Sequence, residues 1–100
     1  MGLGTILATA VPAVLKVVVS NTDELKKTID EIGGGITFPN IPVKVSKLDE
    51  KFWLTIGEEG GWKVQQNQVT KVVRIVDDQS FQRAWGAEPA MEKLFRKIIK

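Results

Sequence analysis

Four short β-strand patterns follow one another between residues 41 and 76, and they constrain the fold more than any other feature. The first three alternate apolar and other side chains with a period of two, and the fourth is apolar on both faces, as in a central strand. The tip Glu58-Glu59-Gly60-Gly61 supplies the glycines that a hairpin turn requires. Short strands joined by tight turns pair most simply as an antiparallel meander. The four patterns are residues 41–45, 52–56, 62–66 and 69–76.

Two amphipathic helix patterns flank the strand patterns. The first covers residues 22–32, follows the N-cap residue Asn21, and ends at three consecutive glycines, 33–35. The second begins at Pro89, because proline is favoured in the first helical turn. Its apolar stripe has the spacing i, i+3, i+4, i+7 and consists of Met91, Leu94, Phe95 and Ile98.

Residues 77–86 are predicted to be helical as well. Asp77-Asp78-Gln79-Ser80 resembles a helix start, Phe81, Ala84 and Trp85 have helical apolar spacing, and Gly86 ends the pattern. The sequence therefore predicts a single small α+β domain over residues 1–100, with a roughly four-stranded antiparallel sheet packed by two or three helices.

Residues 1–20 form an apolar N-terminal segment whose structure the sequence leaves open. Pro12 costs about 3 kcal/mol inside a helix, so a break is expected near residues 10–12. Residues 13–19 then fit either a strand or a helix, since valine favours pleated surfaces. Lys16 lies at the wrong end for a secretory signal and also interrupts a membrane span, although neither a cleaved signal nor an anchor is excluded.

This segment needs a covering partner of some kind. It carries nine large aliphatic side chains, and burying each one stabilises a fold by about 1.5–3 kcal/mol. Leaving all of them in water would forfeit about 15 kcal/mol or more, which is the whole stability of a typical domain. The sheet of the same domain, a second copy, another protein or a membrane could cover them. The residues predicted to contact a partner here are Leu3, Ile6, Leu7 and Val11.

Trp53 is the remaining candidate for partner binding. It alternates with Phe52, Leu54 and Ile56, so it lies on the opposite face of the sheet from these three residues. Either further structure covers that face, or Trp53 is exposed at a binding surface, where tryptophan is enriched.

The residue types that are missing restrict catalysis. The chain has no His, Cys or Tyr, which removes Ser-His relays, thiol nucleophiles and imidazole or thiolate metal ligands. Five pairs of adjacent carboxylates fit caps, turns or solvated surface first, because neighbouring side chains diverge on a helix or strand. Asp77-Asp78, after a buried strand, is the best exception. No catalytic residue, metal site or cofactor is predicted. The missing residue types argue against an enzyme without excluding one.

The second half of the chain is the more basic half. The net charge is +2, and residues 89–100 carry four basic side chains against one Glu. Cations in the last turn of a helix are stabilised by its dipole, which explains them without any ligand. The residues that could bind an anionic partner are Lys71, Arg74, Arg83, Lys93, Arg96 and Lys97.

These observations predict a non-catalytic protein-protein interaction or assembly module whose partner is itself or another protein. One alternative is a peripheral membrane protein that uses the apolar N-terminus and the basic C-terminal helix. Another is a weak nucleic-acid-binding domain that uses the basic second half. The expected location is cytoplasmic, with peripheral membrane contact as the variant, and no small-molecule ligand is inferable.

Overall fold

The structure, a computed structural model, describes residues 12–18, 20 and 22–99. It confirms an α+β domain with an antiparallel sheet, but the sheet has six strands instead of about four. Residues 12–18 and 20 are helical and form α1, followed by α2 (Thr22–Glu31) and α3 (Glu88–Ile99). The strands are β1 (Ile36–Thr37), β2 (Val43–Lys44), β3 (Trp53–Glu59), β4 (Trp62–Asn67), β5 (Val73–Val76) and β6 (Phe81–Gly86). A short 3-10 helix, Glu50–Phe52, leads into β3.

All the strand pairs are antiparallel. The strand order is β1-β6-β5-β4-β3, and β2 also pairs with β6. Three of the four predicted strands, β3, β4 and β5, pair in sequence as the predicted meander requires, and β6 extends them. The first predicted strand, at residues 41–45, does not pair with β3: its structured part is β2, which pairs with β6. The two-residue strands β1 and β2 lie at one edge, and β3 is the strand at the other.

One face of the sheet packs against the helices. Val64, Ile75 and Ala84 are register partners on neighbouring strands, and all three are fully buried. They belong to one core cluster with buried side chains of every helix: Val14, Leu15, Val18, Leu25, Ile29, Met91, Leu94 and Phe95. The helices bury their apolar stripes there because each of these side chains stabilises the fold by about 1.5–3 kcal/mol.

The structure settles the open question about residues 13–18, which are helical. Val14, Leu15 and Val18 are buried, and their spacing places them on one helix face, while Lys16 is exposed. This part of the apolar segment is thus covered within the same domain. The predicted contact residues Leu3, Ile6, Leu7 and Val11 lie outside the described residues.

The predicted helix at residues 22–32 and its end are confirmed. The three glycines 33–35 have φ values of 97°, 78° and 87°, a conformation that costs glycine little. Gly34 N–H donates to the Ile29 carbonyl at 2.9 Å, five residues back, as in a Schellman C-cap. The chain leaves the helix there and enters β1, which the sequence patterns missed.

The helix predicted over residues 77–86 is wrong, because residues 77–80 form a turn and Phe81–Gly86 is strand β6. The Asp77 carboxylate accepts the N–H groups of Gln79 and Phe81, both at 2.9 Å, and its backbone N–H donates to the Phe81 carbonyl. These bonds close a tight turn that sends the chain back along β5. Register shifts between Ile75 and Val76, so β6 has a bulge there. The extra residue is Arg83, and the consecutive strand residues Ala84 and Trp85 lie on opposite faces, so the helix-like spacing of Phe81, Ala84 and Trp85 did not mark a shared face.

Two predicted strands are shorter in the structure. The pattern at 41–45 forms a strand only at Val43–Lys44, and the one at 69–76 only at Val73–Val76. In the second case the Asn67 side-chain oxygen accepts the N–H groups of Val69 and Thr70. The bonds hold residues 67–72 as a loop, because an asparagine side chain can replace backbone partners in turns.

Candidate interaction surface at the edge strand β3

Strand β3 is the edge of the sheet that is long enough to pair with another chain. It runs over seven residues and pairs with β4 on one side. Within the described residues, no strand lies on its other side. A bulge between Thr55 and Gly57 bends the strand. Free edges of this kind present unpaired N–H and C=O groups to a partner.

Side chains on one face of β3 are anchored by a buried arginine. Arg74, on β5, is 1% exposed, and its guanidinium carbon lies 3.9 Å from the centre of the Trp53 ring. Arg74 Nη1 donates to Asp49 Oδ2 at 2.8 Å and to Gln82 Oε1 at 3.1 Å, and Nε donates to Gln65 Oε1 at 2.8 Å. Trp53 therefore packs as a stacking partner on this face and is about half-buried.

The same group of side chains joins the edge strand to the interior of the sheet. Gln65 on β4 also donates from Nε2 to the Thr55 hydroxyl at 3.1 Å. Asp49 precedes the 3-10 turn that enters β3, and the Phe52 N–H donates to its carbonyl. We call Asp49, Trp53, Gln65, Arg74 and Gln82 the Arg74 cluster. It links the start of β3 to side chains of β4, β5 and β6.

Burial and nearby negative charge shift the pKa of Arg74 in opposite directions. Loss of solvation lowers the pKa of its guanidinium, and the Asp49 hydrogen bond and the charges of Asp49 and Glu50 oppose that change. A guanidinium keeps its proton at neutral pH, so the cluster contains a buried cation with one carboxylate partner. Arg74 Nη2 and Trp53 Nε1 are buried donors without a hydrogen-bond partner among the described residues.

The opposite side of β3 is apolar and largely uncovered. Phe52 is 46% exposed and Leu54 is 53% exposed, while Ile56 is partly buried against the core. Gln68 N–H donates to the Phe52 carbonyl at 2.8 Å, and the next residue, Val69, is 77% exposed. The sequence predicted Phe52, Leu54 and Ile56 on one face away from Trp53. The helices cover only the last of the three.

Charged residues flank this apolar stretch with opposite signs at its two ends. Lys51 comes just before Phe52 and is exposed, and Glu58 and Glu59 end the strand and are also exposed. The β3 edge surface, meaning residues 51–59, therefore begins with the cation Lys51, which follows the exposed Glu50, has an apolar centre, and ends with two carboxylates.

The six predicted anion-binding residues are spread over the molecule. Arg74 is buried in its cluster, Lys71 is exposed in the 67–72 loop, and Arg83 pairs with Asp77 at 3.2 Å. Only the three residues of α3 come together: Lys93, Arg96 and Lys97, which line a groove beside Ile32. Two of these three also form ion pairs, Arg96 with Glu92 and Lys97 with Glu31.

Asp77 and Asp78 do not converge on a cleft in the structure. Asp77 is 7% exposed, and its oxygens bind the turn and Arg83, whereas Asp78 is exposed. Across residues 12–18, 20 and 22–99, no group of three acidic side chains is placed to hold a metal ion. No helix in the part of the chain that the structure describes is long and apolar enough to cross a membrane.

Comparison of the chain with known protein families, with curated proteins and with solved structures gives no significant match. Function must therefore be inferred from the geometry of the chain itself.

Proposed function

We propose that this domain is a non-catalytic assembly module that associates with a second copy of itself through the β3 edge surface. In this assembly β3 pairs antiparallel with β3 of the other copy across a twofold axis. The two sheets then join into one, which is the strand-addition mode of protein recognition. The backbone groups of the free edge supply hydrogen bonds, and the half-exposed Phe52 and Leu54 supply apolar contact.

The main support for this proposal is the order of charges along the β3 edge surface. Antiparallel pairing places the start of one β3 opposite the end of the other, so Lys51 of one copy meets Glu58 and Glu59 of the other. A twofold axis makes this contact twice. Parallel pairing would instead bring like charges together, which is unfavourable. The edge is thus complementary to itself in one orientation only.

Two further features support a closed dimer. The opposite edge of the sheet is formed by the two-residue strands β1 and β2, so among the described residues each copy offers one long edge, which favours a closed pair over a fibre. The Arg74 cluster holds β3 in place before any partner arrives, which lowers the ordering cost of association.

A charge-swap experiment tests the proposal. The full chain is expected to be a dimer by light scattering after gel filtration. Lys51→Glu alone, and Glu58→Lys with Glu59→Lys, should each weaken dimerisation by about tenfold or more, because attraction becomes repulsion at both ends of the interface. Mixing the two variants should restore pairing, and native mass spectrometry would detect the mixed dimer by its mass.

Lys27→Glu is the matched control, since Lys27 is exposed on α2 and lies far along the chain from β3. It should leave the dimer affinity unchanged. A monomeric full chain at high protein concentration would reject the proposal, and so would swapped variants that dimerise as well as the original chain.

Peripheral membrane contact is the second candidate, favoured by the groove on α3. This groove has a volume of about 380 Å³ and combines the apolar Ile32 with Lys93, Arg96 and Lys97. Such a surface suits anionic lipid, and binding should weaken with salt. Flotation of the full chain with anionic vesicles at low salt tests it.

A parallel titration with nucleic acid tests the weak nucleic-acid-binding alternative, which also requires affinity that falls with salt. A cytoplasmic location stays a prediction.

A further inference from the structure

A concave pocket lies between the start of α2, the loop at residues 38–42 and strand β6. Its volume is about 160 Å³, and it shares no residue with the β3 edge surface. Lys26 of α2 and Arg83 of β6 both line it, so two basic residues from separate elements border one cavity. No described carboxylate lines it.

Aromatic contacts fix where both cations lie. The Lys26 ammonium is 5.8 Å from the centre of the Phe38 ring, and Phe38 is itself part of the pocket wall. The Arg83 guanidinium is 5.5 Å from the centre of the Trp62 ring. Cation–π contacts of this length restrain a charged side chain that would otherwise sample many rotamers in water.

The two positive charges are incompletely neutralised. Arg83 forms one ion pair, from Nη1 to Asp77 Oδ2, and the other Asp77 oxygen accepts two backbone N–H groups. Lys26 forms no ion pair with any residue in the described part of the chain. An anion bound in the cavity would be attracted by both basic side chains, which lowers the electrostatic energy of the site.

The size of the pocket limits the ligand. A cavity of about 150 Å³ accommodates benzene, whereas pockets for drug-sized molecules are about 300–1,000 Å³. The cavity at α2 therefore holds a charged group with a few attached carbon atoms. Pro39 and Pro42 supply apolar wall on the loop side, and Thr22 and Asn40 add a hydroxyl and an amide.

We infer that this pocket binds a small oxyanion, the phosphate or carboxylate group of a compact ligand, through Lys26 and Arg83. The guanidinium supplies paired N–H donors, which match two oxygens of such a group, and the ammonium supplies a point charge. Thr22 and Asn40 donate further hydrogen bonds to the same group. The inference is independent of self-association, because neither β3 nor the Arg74 cluster takes part.

Amide NMR of the ¹⁵N-labelled full chain tests the site with two probes at constant ionic strength, inorganic phosphate and acetate. Saturable shifts at residues 22–26, at Phe38, Asn40 and Ile41, and at Arg83 are expected with at least one probe, and the probe that saturates identifies the preferred oxyanion. Lys26→Gln should weaken its affinity by about tenfold or more, because a charged contact is lost. Lys27→Gln is the matched control on the same helix and should bind as the original chain does.

Arg83→Lys provides a second variant that keeps the charge and the Asp77 pairing but removes the paired donors. It should also bind more weakly, with the spectrum of a folded protein. Shifts that stay linear with both probes would overturn the inference. Equal affinities of the Lys26→Gln and Lys27→Gln variants, or shifts confined to Lys93, Arg96 and Lys97, would overturn it as well.

Discussion

The environment of Arg74 in the structure differs from the one that the sequence suggests. Within the apolar run at 69–76 it resembled a surface cation available to an anionic partner. In the structure it is 1% exposed and stacks on Trp53, with a carboxylate supplied by Asp49, 25 residues away. A buried cation of this kind depends on its partners, because an uncompensated charge in the interior is costly.

Asp49→Asn should lower the free energy of unfolding by about 1.5–3 kcal/mol, measured by urea denaturation. The substitution removes the negative charge that compensates Arg74 while keeping the shape of the side chain. The loss is smaller than the 3–5 kcal/mol typical of fully buried pairs, because Asp49 is 43% exposed and water screens the interaction.

Asp30→Asn is the control for this substitution, since Asp30 is exposed on α2 and forms no ion pair within the described residues. It should change the stability by no more than about 0.5 kcal/mol. Equal losses in the two variants would mean that Asp49 does not compensate the buried arginine.

At the scale of elements, the β3–β4 hairpin is the part of the sheet that the sequence predicted best. Glu59 pairs with Trp62, so Gly60 and Gly61 form a two-residue turn, with φ values of 59° and 87°. Positive φ at both positions is what a type I′ turn needs, and its twist matches that of the strands. The turn therefore fixes the register of β3, the strand on which the proposed assembly depends.

Gly61→Ala should lower the free energy of unfolding by about 1–3 kcal/mol and by more than Gly60→Ala. Both substitutions place a side chain at positive φ. At Gly61 the added Cβ would also lie 3.0 Å from the Cβ of Asp78, whereas at Gly60 nothing lies within 4 Å. Chemical denaturation of the two variants provides the comparison, and a larger loss for Gly60→Ala would contradict the structure of this turn.

At the scale of the whole molecule, the two faces of the sheet are stabilised in different ways. The helices pack on one face and share a single apolar core with it, which includes Val14, Leu25, Ile75 and Phe95. The other face carries the Arg74 cluster, where hydrogen bonds and stacking replace apolar packing. Since the described parts of the helices bury their apolar side chains in this one core, helices and sheet should lose their structure together.

Urea unfolding followed by far-ultraviolet circular dichroism and by tryptophan fluorescence should therefore give the same midpoint. The first signal reports mainly on the helices, and the second reports on the sheet, because all three tryptophans lie in strands. Coincident transitions are the mark of two-state unfolding in a small domain. A fluorescence transition that precedes the loss of helix would show that the sheet and helices are separate folding units.

The parts of the fold and of the site that the sequence predicted correctly depend on local patterns. Amphipathic spacing and caps located α2 and α3, and alternation predicted β3 and β4, because these features depend on neighbours along the chain. Of the site, alternation predicted that Trp53 faces away from Phe52 and Leu54. It could not predict which of these residues would be covered, since the covering elements are distant in sequence.

By itself, the sequence determined the class of the domain, the positions of two helices and the hairpin turn at Gly60-Gly61. Only the tertiary structure decided that residues 81–86 form a strand and that Arg74 is buried beside Trp53. It also decided that β3 is an edge strand on which Leu54 is 53% exposed. The physical reason is that periodicity arises from the geometry of one segment, whereas burial and pairing depend on which distant segments lie against it.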